Sequence, residues 1–414
     1  MWQPRMIRVL DEVARVLRPE KKHLPFGGVQ MIFVGDFFQL SPVFTEQDRV
    51  WTEAMVKEHG ESEGDDLAYD FAFEHPLWIE YIGLHNVVLL RQNFRQGKGD
   101  QLFARILDGL RKGVVTEEAH KALQDRAYIT CTFPDTDAMR DPVSGLRPTE
   151  IYPTNAEADA VNQREFDKIC AGDASKRIPT YLYRDIRIEE NKESRPIFDA
   201  YIENMKKDSL AKGEINLCVG SQVMLLSNLD TSEGLVNGAR GRIIGLSPLQ
   251  ESPYDPVPRA YPRVQFENGL IQTIEPKAYE CAHEDAKGAQ CFYVQIPLRL
   301  SDASSVHKSQ GQTLDRVYGD VRKMFRHGQA YTFYSRVRTL AGLFHKNYSR
   351  SVIVANPKVR AYYESLEAAL QAEEEEQQRQ QQQQQQVVAA QVAPAAAPVA
   401  DENELLLGFL DGPP

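Results

Sequence analysis

No stretch of the 414 residues approaches the ~18 consecutive apolar residues of a membrane-spanning helix, so neither a helical membrane protein nor a membrane partner is expected. Met1 is not followed by a charged-then-apolar leader, and secretion is not expected either. Cysteine is sparse: Cys131, Cys170, Cys218, Cys281 and Cys291 are odd in number and scattered. That spacing is no disulfide framework and points to a reducing compartment. Cys281, His283 and Cys291 lack a fourth zinc ligand at normal spacing, and read as thiols and a surface His on a strand pair. Positive charge is in deficit, 48 Lys and Arg against 59 Asp and Glu, for a net −11. Eight of the acids and one Arg lie from Gln371 onward, which leaves about −4 on the first 370 residues. A body so nearly balanced can carry a local basic groove, so the sum does not exclude a polyanionic partner.

What the chain does have is an unusual polar run, Ser304-Ser305-Val306-His307-Lys308-Ser309-Gln310-Gly311-Gln312-Thr313-Leu314. It is followed by Gly328-Gln329-Ala330-Tyr331 and then Ser335-Arg336. Hydroxyls, amides and a Gly that lets the backbone approach closely suit a loop that contacts phosphate better than they suit a core.

The rest of the chain reads as support for that loop. Residues 3–18 carry a helical apolar stripe, and residues 30–34 are an apolar run of strand length closed by Gly35-Asp36. Such a run is expected to be a buried parallel strand that ends in a catalytic loop. An acidic loop (Glu61 to Asp66) and a second strand (Asn86 to Leu90) follow. Gln101 to Lys112 and Glu117 to Leu123 have helical spacing, and Glu150 to Tyr152 runs as a strand into a polar turn and a helix from Ala156 to Ile169. Residues 172–213 are charged and weakly patterned. Five short strands within 217–298, divided by Asn237-Gly238, a Pro-rich segment and Asn268-Gly269, suggest a small inserted barrel. Ser351 to Ala355 is expected as a last strand and Lys358 to Leu370 as a helix. The Glu-, Gln- and Ala/Pro-rich remainder reads as disordered, with an acidic–apolar end (401–411) that fits a partner's groove as well as it fits an idle tail.

Four clusters place polar or cationic residues just after a strand: Gly35-Asp36-Phe37-Phe38-Gln39, Phe94-Arg95-Gln96, Tyr152-Pro153-Thr154-Asn155 and the opening loop. Asp36 has the chemistry for a metal-water shell and Gln39 for sensing a phosphate. Arg95 suits bidentate phosphate contact, although such an Arg is more often in a surface ion pair. For Thr154 and Asn155 at a helix start, an N-cap is the commoner explanation.

Together the strings GDFFQLSPV, LRQNFRQ, IYPTNAEADAVN, VGSQVMLLSNLDTSEGLVNGARGRIIG, SSVHKSQGQTL and GQAYTFYSR resemble, in order and spacing, the superfamily 1 DNA helicases of the petite-integration-frequency type, relatives of RecD. The resemblance covers about Pro4 to Leu366. It implies an α/β fold: a RecA-like P-loop NTPase helicase core, with part of a first RecA-like domain (1–85) and a complete second one (86–213 and 299–370). It also implies an inserted small β-barrel (214–298), followed by a disordered tail (371–414). The activity implied is ATP-dependent 5′-to-3′ DNA unwinding in repair, recombination or telomere maintenance, in the nucleus with the mitochondrion as alternative. ATP and Mg2+ are the implied cofactors, and single-stranded DNA and DNA junctions the implied partners. Gln39, Arg95 and Arg336 would be catalytic. Gly35, Asp36 and Gly311 would join them around ATP, and Thr154, Asn155, Ser305, His307 and Lys308 would hold the DNA strand.

The departures are informative. No Gly-x-x-x-x-Gly-Lys-[Ser/Thr] string is present, and Gly97-Lys98-Gly99 lacks the upstream Gly and the hydroxyl. Asp11-Glu12 sits mid-helix rather than at a strand end, so no metal-holding acidic pair is found. The chain is therefore expected to be an N-terminally truncated motor, inactive alone, with a non-catalytic DNA- or partner-binding remnant as the alternative. Relatives also carry small or aliphatic residues where this chain has Phe333-Tyr334.

Overall fold

The computed structural model describes residues 3–42, 69–96, 99–207, 213–281 and 288–392. Its centre is a parallel sheet of four strands, β1 (Thr149–Tyr152), β14 (Ala303–Ser305), β15 (Val317–Asp320) and β16 (Leu343–Lys346), in the order β14-β1-β15-β16. Tyr152 lies opposite Ser305, so the polar turn after β1 and the opening loop after β14 leave the same edge side by side. The helices α3 (Gln101–Arg111) and α4 (Glu117–Cys131) cover this sheet. Each starts on a side-chain cap, Asp100 accepting from Phe103 N at 3.0 Å and Thr116 from Ala119 N at 3.1 Å. Phe103, Ile106, Leu107 and Leu110 of α3 and Leu123 of α4 are buried against Ile151, Val317 and Leu343. At roughly 1.5–3 kcal/mol per buried aliphatic or aromatic side chain, this face dominates the stability of the unit. The expected last strand at 351–355 is instead a 3-10 turn (Arg350–Val352), because Leu343–Lys346 takes the place beside β15.

Between β1 and β14 the chain builds an antiparallel unit. After α5 (Asn155–Gly172), β2 (Tyr181–Leu182) pairs with β4 (Glu214–Ile215), and β3 (Arg184–Ile188) pairs with β12 (Gln290–Gln295), which also pairs with β11 (Lys277–Cys281). α6 (Ser194–Lys207) buries Phe198 and Ile202 on that three-stranded layer. β5 (Gln222–Leu225), β6 (Arg240–Leu246), β9 (Pro262–Phe266), β10 (Ile271–Thr273) and β13 (Leu298–Leu300) form a second sheet in the order β10-β9-β6-β5-β13, while β7 (Gln250–Ser252) and β8 (Asp255–Arg259) pair with each other. Two features differ from expectation. The unit draws in residues 181–188, ahead of the expected boundary at 214. Among the described residues its pairings also leave β10 and β13 as edges rather than closing a ring. Buried Arg147 joins the two units, bonding Glu165 of α5 and Asp302 while Arg240 donates to its carbonyl.

A third core is aromatic. Phe26, Phe37, Phe71, Phe73, Trp78 of α2 (Pro76–Tyr81), Tyr362 and Tyr363 gather around α1 (Arg5–Leu17) and the start of α9 (Pro357–Val392). Residues 30–34 and 86–90 lie against this cluster, but neither forms the expected strand. Met31, Phe33, Val87 and Leu89 face the aromatic rings, while Ile32, Val34, Val88 and Leu90 are 79–88 % exposed. A strand needs ladder partners, and among the described residues these runs have none.

The tail also departs from expectation. Helix α9 continues to Val392, beyond the expected onset of disorder at 371. Glu, Gln and Ala are strong helix formers, and i,i+4 contacts (Arg379 to Glu375, Gln380 to Glu376) stiffen an otherwise exposed helix. The 61–66 loop, His283 and the 401–411 end lie outside the described residues. Cys281 and Cys291 face each other across β11 and β12, as the strand-pair reading expects. Among the described residues no helix is long and apolar enough to cross a membrane.

Candidate phosphate and strand-binding site

Three of the sequence clusters converge beneath the opening loop. Arg95 donates from Nε to Thr313 Oγ1 and from Nη1 to the Ser335 carbonyl, both at 2.9 Å. Gln96 is buried and donates to the Val337 carbonyl at 3.1 Å. The 93–96 loop is thereby clamped onto the end of α8 (Gln329–Tyr334).

Arg336 is among the largest fully buried side chains. Its Nε donates to Thr332 O at 2.9 Å, Nη1 to Ser309 O and Gln312 O, and Nη2 to Ser335 Oγ at 2.8 Å. Four of its five donors are therefore held by neutral oxygens. Among the described residues no carboxylate pairs with Arg336 or with Arg95. Burial, reinforced by the Arg95 charge, pulls Arg336 down to about 10, and burial lowers Arg95 as well. Both still carry their proton at neutral pH. Two fixed cations beside one loop, without an internal anion, suit a polyanionic ligand such as a nucleotide phosphate.

Asp36 does other work than the metal contact its type suggests. It accepts from Arg111 at 3.0–3.3 Å, from Tyr331 Oη at 3.3 Å and from Gln39 Nε2 at 3.4 Å. The Arg111 guanidinium lies 4.7 Å from both the Phe38 and Tyr363 ring centres. These residues fit a phosphate through half-exposed Arg95, with buried Arg336 adding its charge from behind. They do not fit Mg2+, because the carboxylate in reach is already committed to an Arg and a Tyr. Gln39 sits in the same turn, its backbone against Gly328: a Cβ there would lie 2.4–2.5 Å from the Phe38 and Gln39 carbonyl oxygens, and φ is +70°. Gly328 is thus what lets the Gln39 turn seat on α8. Gly35, next to Asp36, is exposed, and a Cβ there would meet nothing within 4 Å. Gly311 takes a left-handed φ of +84° at the apex of the loop.

The residues expected to face a DNA strand also come together, with Ser305 buried among them. Ser305 Oγ donates to Asn155 Oδ1 at 2.6 Å and accepts from Lys308 N, capping the one-turn helix α7 (Val306–Ser309). Thr154 caps α5 by accepting from Glu157 N, so capping accounts for its identity. His307 and Asn155 reach solvent, and Lys308 is half-buried. Partial loss of hydration, then the Arg326 charge, holds His307 below its ordinary value, so it is neutral at pH 7. One turn joins the two clusters: α7 carries exposed His307 and half-buried Lys308 while its Ser309 carbonyl accepts from Arg336.

Arg111, Tyr331 and Thr313 belong to this site without having been singled out as site residues. Arg111 ends an amphipathic helix, where an Arg reads as a solvated cation, and only the fold reveals its aromatic sandwich. Phe333 and Tyr334, unusual by resemblance, are fully buried. A Cβ on Gly319 would lie 2.8 Å from the Phe333 ring, so this glycine makes room for it. Tyr334 Oη meets His345 Nδ1 at 2.9 Å, and His345 Nε2 meets the Leu123 carbonyl at 2.9 Å. A carbonyl only accepts, so Nε2 carries the proton and Nδ1 receives the Tyr hydroxyl hydrogen.

The chain as a whole is similar to known proteins. Residues 1–59 match the family description "PIF1-like helicase", and residues 200–246 match "DNA helicase Pif1, 2B domain". The chain is 28 % identical over 440 residues to the ATP-dependent DNA helicase PIF1 of Candida albicans, covering 88 % of this chain and 44 % of that protein. It is 30 % identical over 357 residues to the protein of the same name from Danio rerio, covering 86 % and 46 %. The chain spans about half the length of the curated relatives it matches. Among solved structures, the Pif1 helicase of Candida albicans superposes with a TM-score of 0.62 at 30 % identity, covering 88 % of this chain and 75 % of that one. A Bacteroides Pif1 bound to single-stranded DNA, 22 % identical with a TM-score of 0.52 and covering 89 % of this chain and 74 % of that one, shares the fold. On identity and coverage together, this chain belongs to the PIF1-like helicase family.

Proposed function

We propose that this chain carries the phosphate-sensing and strand-gripping part of an ATP-dependent DNA helicase moving 5′ to 3′ along single-stranded DNA. The observation that carries the reading is the pair Arg95 and Arg336, cationic and free of carboxylate partners among the described residues, both bonded to the loop that carries Ser305, His307 and Lys308. In this reading 1–85 belongs to the first RecA-like domain, 86–213 and 299–370 to the second, and 214–298 to the domain that covers the strand. Arg95 and Arg336 bind the γ-phosphate of ATP and stabilise its charge during transfer, and Gln39 links that phosphate to the strand track. ATP supplies the energy when bound, and the ligand for its Mg2+ is missing from the residues described. Asn155, Ser305, His307 and Lys308 contact the DNA backbone, at junctions as well as on free strands. Thr154 shapes the turn. The nucleus, with genome maintenance as its setting, is the location this reading favours, and the mitochondrion is the alternative.

A second reading, a DNA- or partner-binding protein without a motor cycle, is favoured by one observation: the 414 residues contain no Gly-x-x-x-x-Gly-Lys-[Ser/Thr] string. Two assays test the strand grip and the incomplete cleft. Fluorescence anisotropy on labelled oligo-dT should show salt-dependent binding that His307→Ala with Lys308→Ala weakens about tenfold. In the same buffer the 414-residue polypeptide should show no DNA-stimulated ATP hydrolysis, because the phosphate-neutralising lysine and acidic pair are not in it. DNA affinity untouched by the double substitution overturns the strand grip. Robust turnover lost in Arg336→Ala overturns the incomplete cleft.

A further inference from the structure

The cysteines were set aside by the sequence and take no part in the proposed motor, yet two of them meet. Cys170 lies in the last turn of α5 and Cys218 just before β5, 48 positions apart, with their Sγ atoms 3.1 Å from each other. Both are free thiols, Cys170 half-exposed and Cys218 buried. Cys218 is fixed by its surroundings: it bridges Arg177, Val219 N donates to Lys176 O at 2.8 Å, and Ser221 N donates to Cys218 O at 3.0 Å. Cys170, on the frayable end of a helix, is the partner that can adjust.

We propose that Cys170 and Cys218 are a redox modification site, closed to a reversible disulfide by a small-molecule disulfide such as oxidised glutathione. The chemistry starts at the accessible sulfur. The Cys170 thiolate attacks one sulfur of the oxidant, whose S–S bond breaks and releases one glutathione thiolate. Cys218 then loses its proton and attacks Cys170 Sγ in the mixed disulfide, releasing the second glutathione. Two cysteine thiols give up two electrons, the oxidant takes them, and the two protons end on two glutathione thiols. Burial, with Cys170 close by, pushes Cys218 up to about 12, which makes it the slower, resolving thiol. The bond would close the segment 170–218, which carries the chain from the α/β sheet into the antiparallel unit. It would tie the far end of α5, whose first turn carries Asn155, to the base of β5. Nothing in this inference depends on nucleotide or DNA binding.

The test is thiol accounting on the whole 414-residue chain with its five free cysteines. After incubation with oxidised glutathione and alkylation without reductant, two thiols should be lost and the intact mass should fall by two hydrogens. A non-reduced digest should contain the linked Cys170 and Cys218 peptides, and dithiothreitol should reverse all three changes. Closing a loop of this size should raise the oxidised chain's Tm by roughly 5 °C. Cys170→Ser, which alters a half-exposed side chain and spares the core, should keep its remaining thiols and show no Tm rise. The proposal is overturned if Cys170→Ser still loses two thiols, if wild type keeps all five, or if a glutathione adduct persists on Cys170.

Discussion

Thr149–Tyr152 and Leu343–Lys346 are strands of a parallel sheet, and residues 30–34 and 86–90, which are richer in aliphatic residues, are not. In the first pair the backbone is engaged on both sides or along a core edge, and Ile151 and Leu343 are buried. In the second pair alternate residues rest on the aromatic cluster and the others face solvent, with Val34 88 % and Leu90 86 % exposed. The difference teaches that a β-rich run is a request for partners rather than a strand. Propensity measures fit to a half-buried pleated surface, and it yields no ladder where no neighbour offers one.

The sharpest way to break that comparison is to truncate one residue in each region. Ile151→Ala should cost about 3–4 kcal/mol in urea unfolding, because it opens a cavity between β1 and its covering helices. A cost below 1 kcal/mol would mean that the sheet core is looser than its burial implies.

Gly328→Ala should cost about 2–4 kcal/mol, since the added Cβ strikes two carbonyl oxygens at a left-handed φ. It attacks the join between the two regions, so the Gln39 turn should lose protease protection before the parallel sheet does. Simultaneous loss would show that they unfold as one body.

The pH dependence belongs to the sheet region. Burial holds His345 down at about 4, against an ordinary 6.5, and its neutral form is the one that the Tyr334 and Leu123 contacts require. A depressed folded value means that the unfolded chain binds the proton more readily. The stabilisation is therefore complete above about pH 6.5 and is lost as pH falls toward 4, about 3 kcal/mol in all. His345→Leu should flatten the stability profile across that window while lowering stability at pH 7.

The smallest effect is expected at Val34→Thr, within about 0.5 kcal/mol of wild type because the side chain has little apolar contact to lose. A large loss there would show that the exposed run is covered in solution.

Much of this was legible in the residues. Helices with clean apolar stripes, such as Gln101–Arg111, were readable because 3.6-residue periodicity is local. The convergence of Arg95, Arg336 and the Ser304–Leu314 run was readable only through resemblance, since sequence spacing carries no distance across a sheet. Other features depended on contacts no local pattern encodes. They include the pairing of residues 184–188 with 290–295, the aromatic sandwich around Arg111 and the commitment of Asp36 to it. The helix through the Gln-rich segment departs from expectation for a different reason: low complexity suggests disorder, yet Glu, Gln and Ala each favour helix.

The central claim is that α7 is shared, with His307 and Lys308 gripping a strand on one side and the Ser309 carbonyl held by Arg336 on the other. A double-mutant cycle on single-stranded DNA affinity, combining Lys308→Ala with Arg336→Ala in proteins of matched circular dichroism, tests it directly. The account predicts that Arg336→Ala weakens DNA binding and that the pair is non-additive by about 0.5 kcal/mol or more. Full DNA affinity in Arg336→Ala, or additivity within about 0.3 kcal/mol, would contradict it.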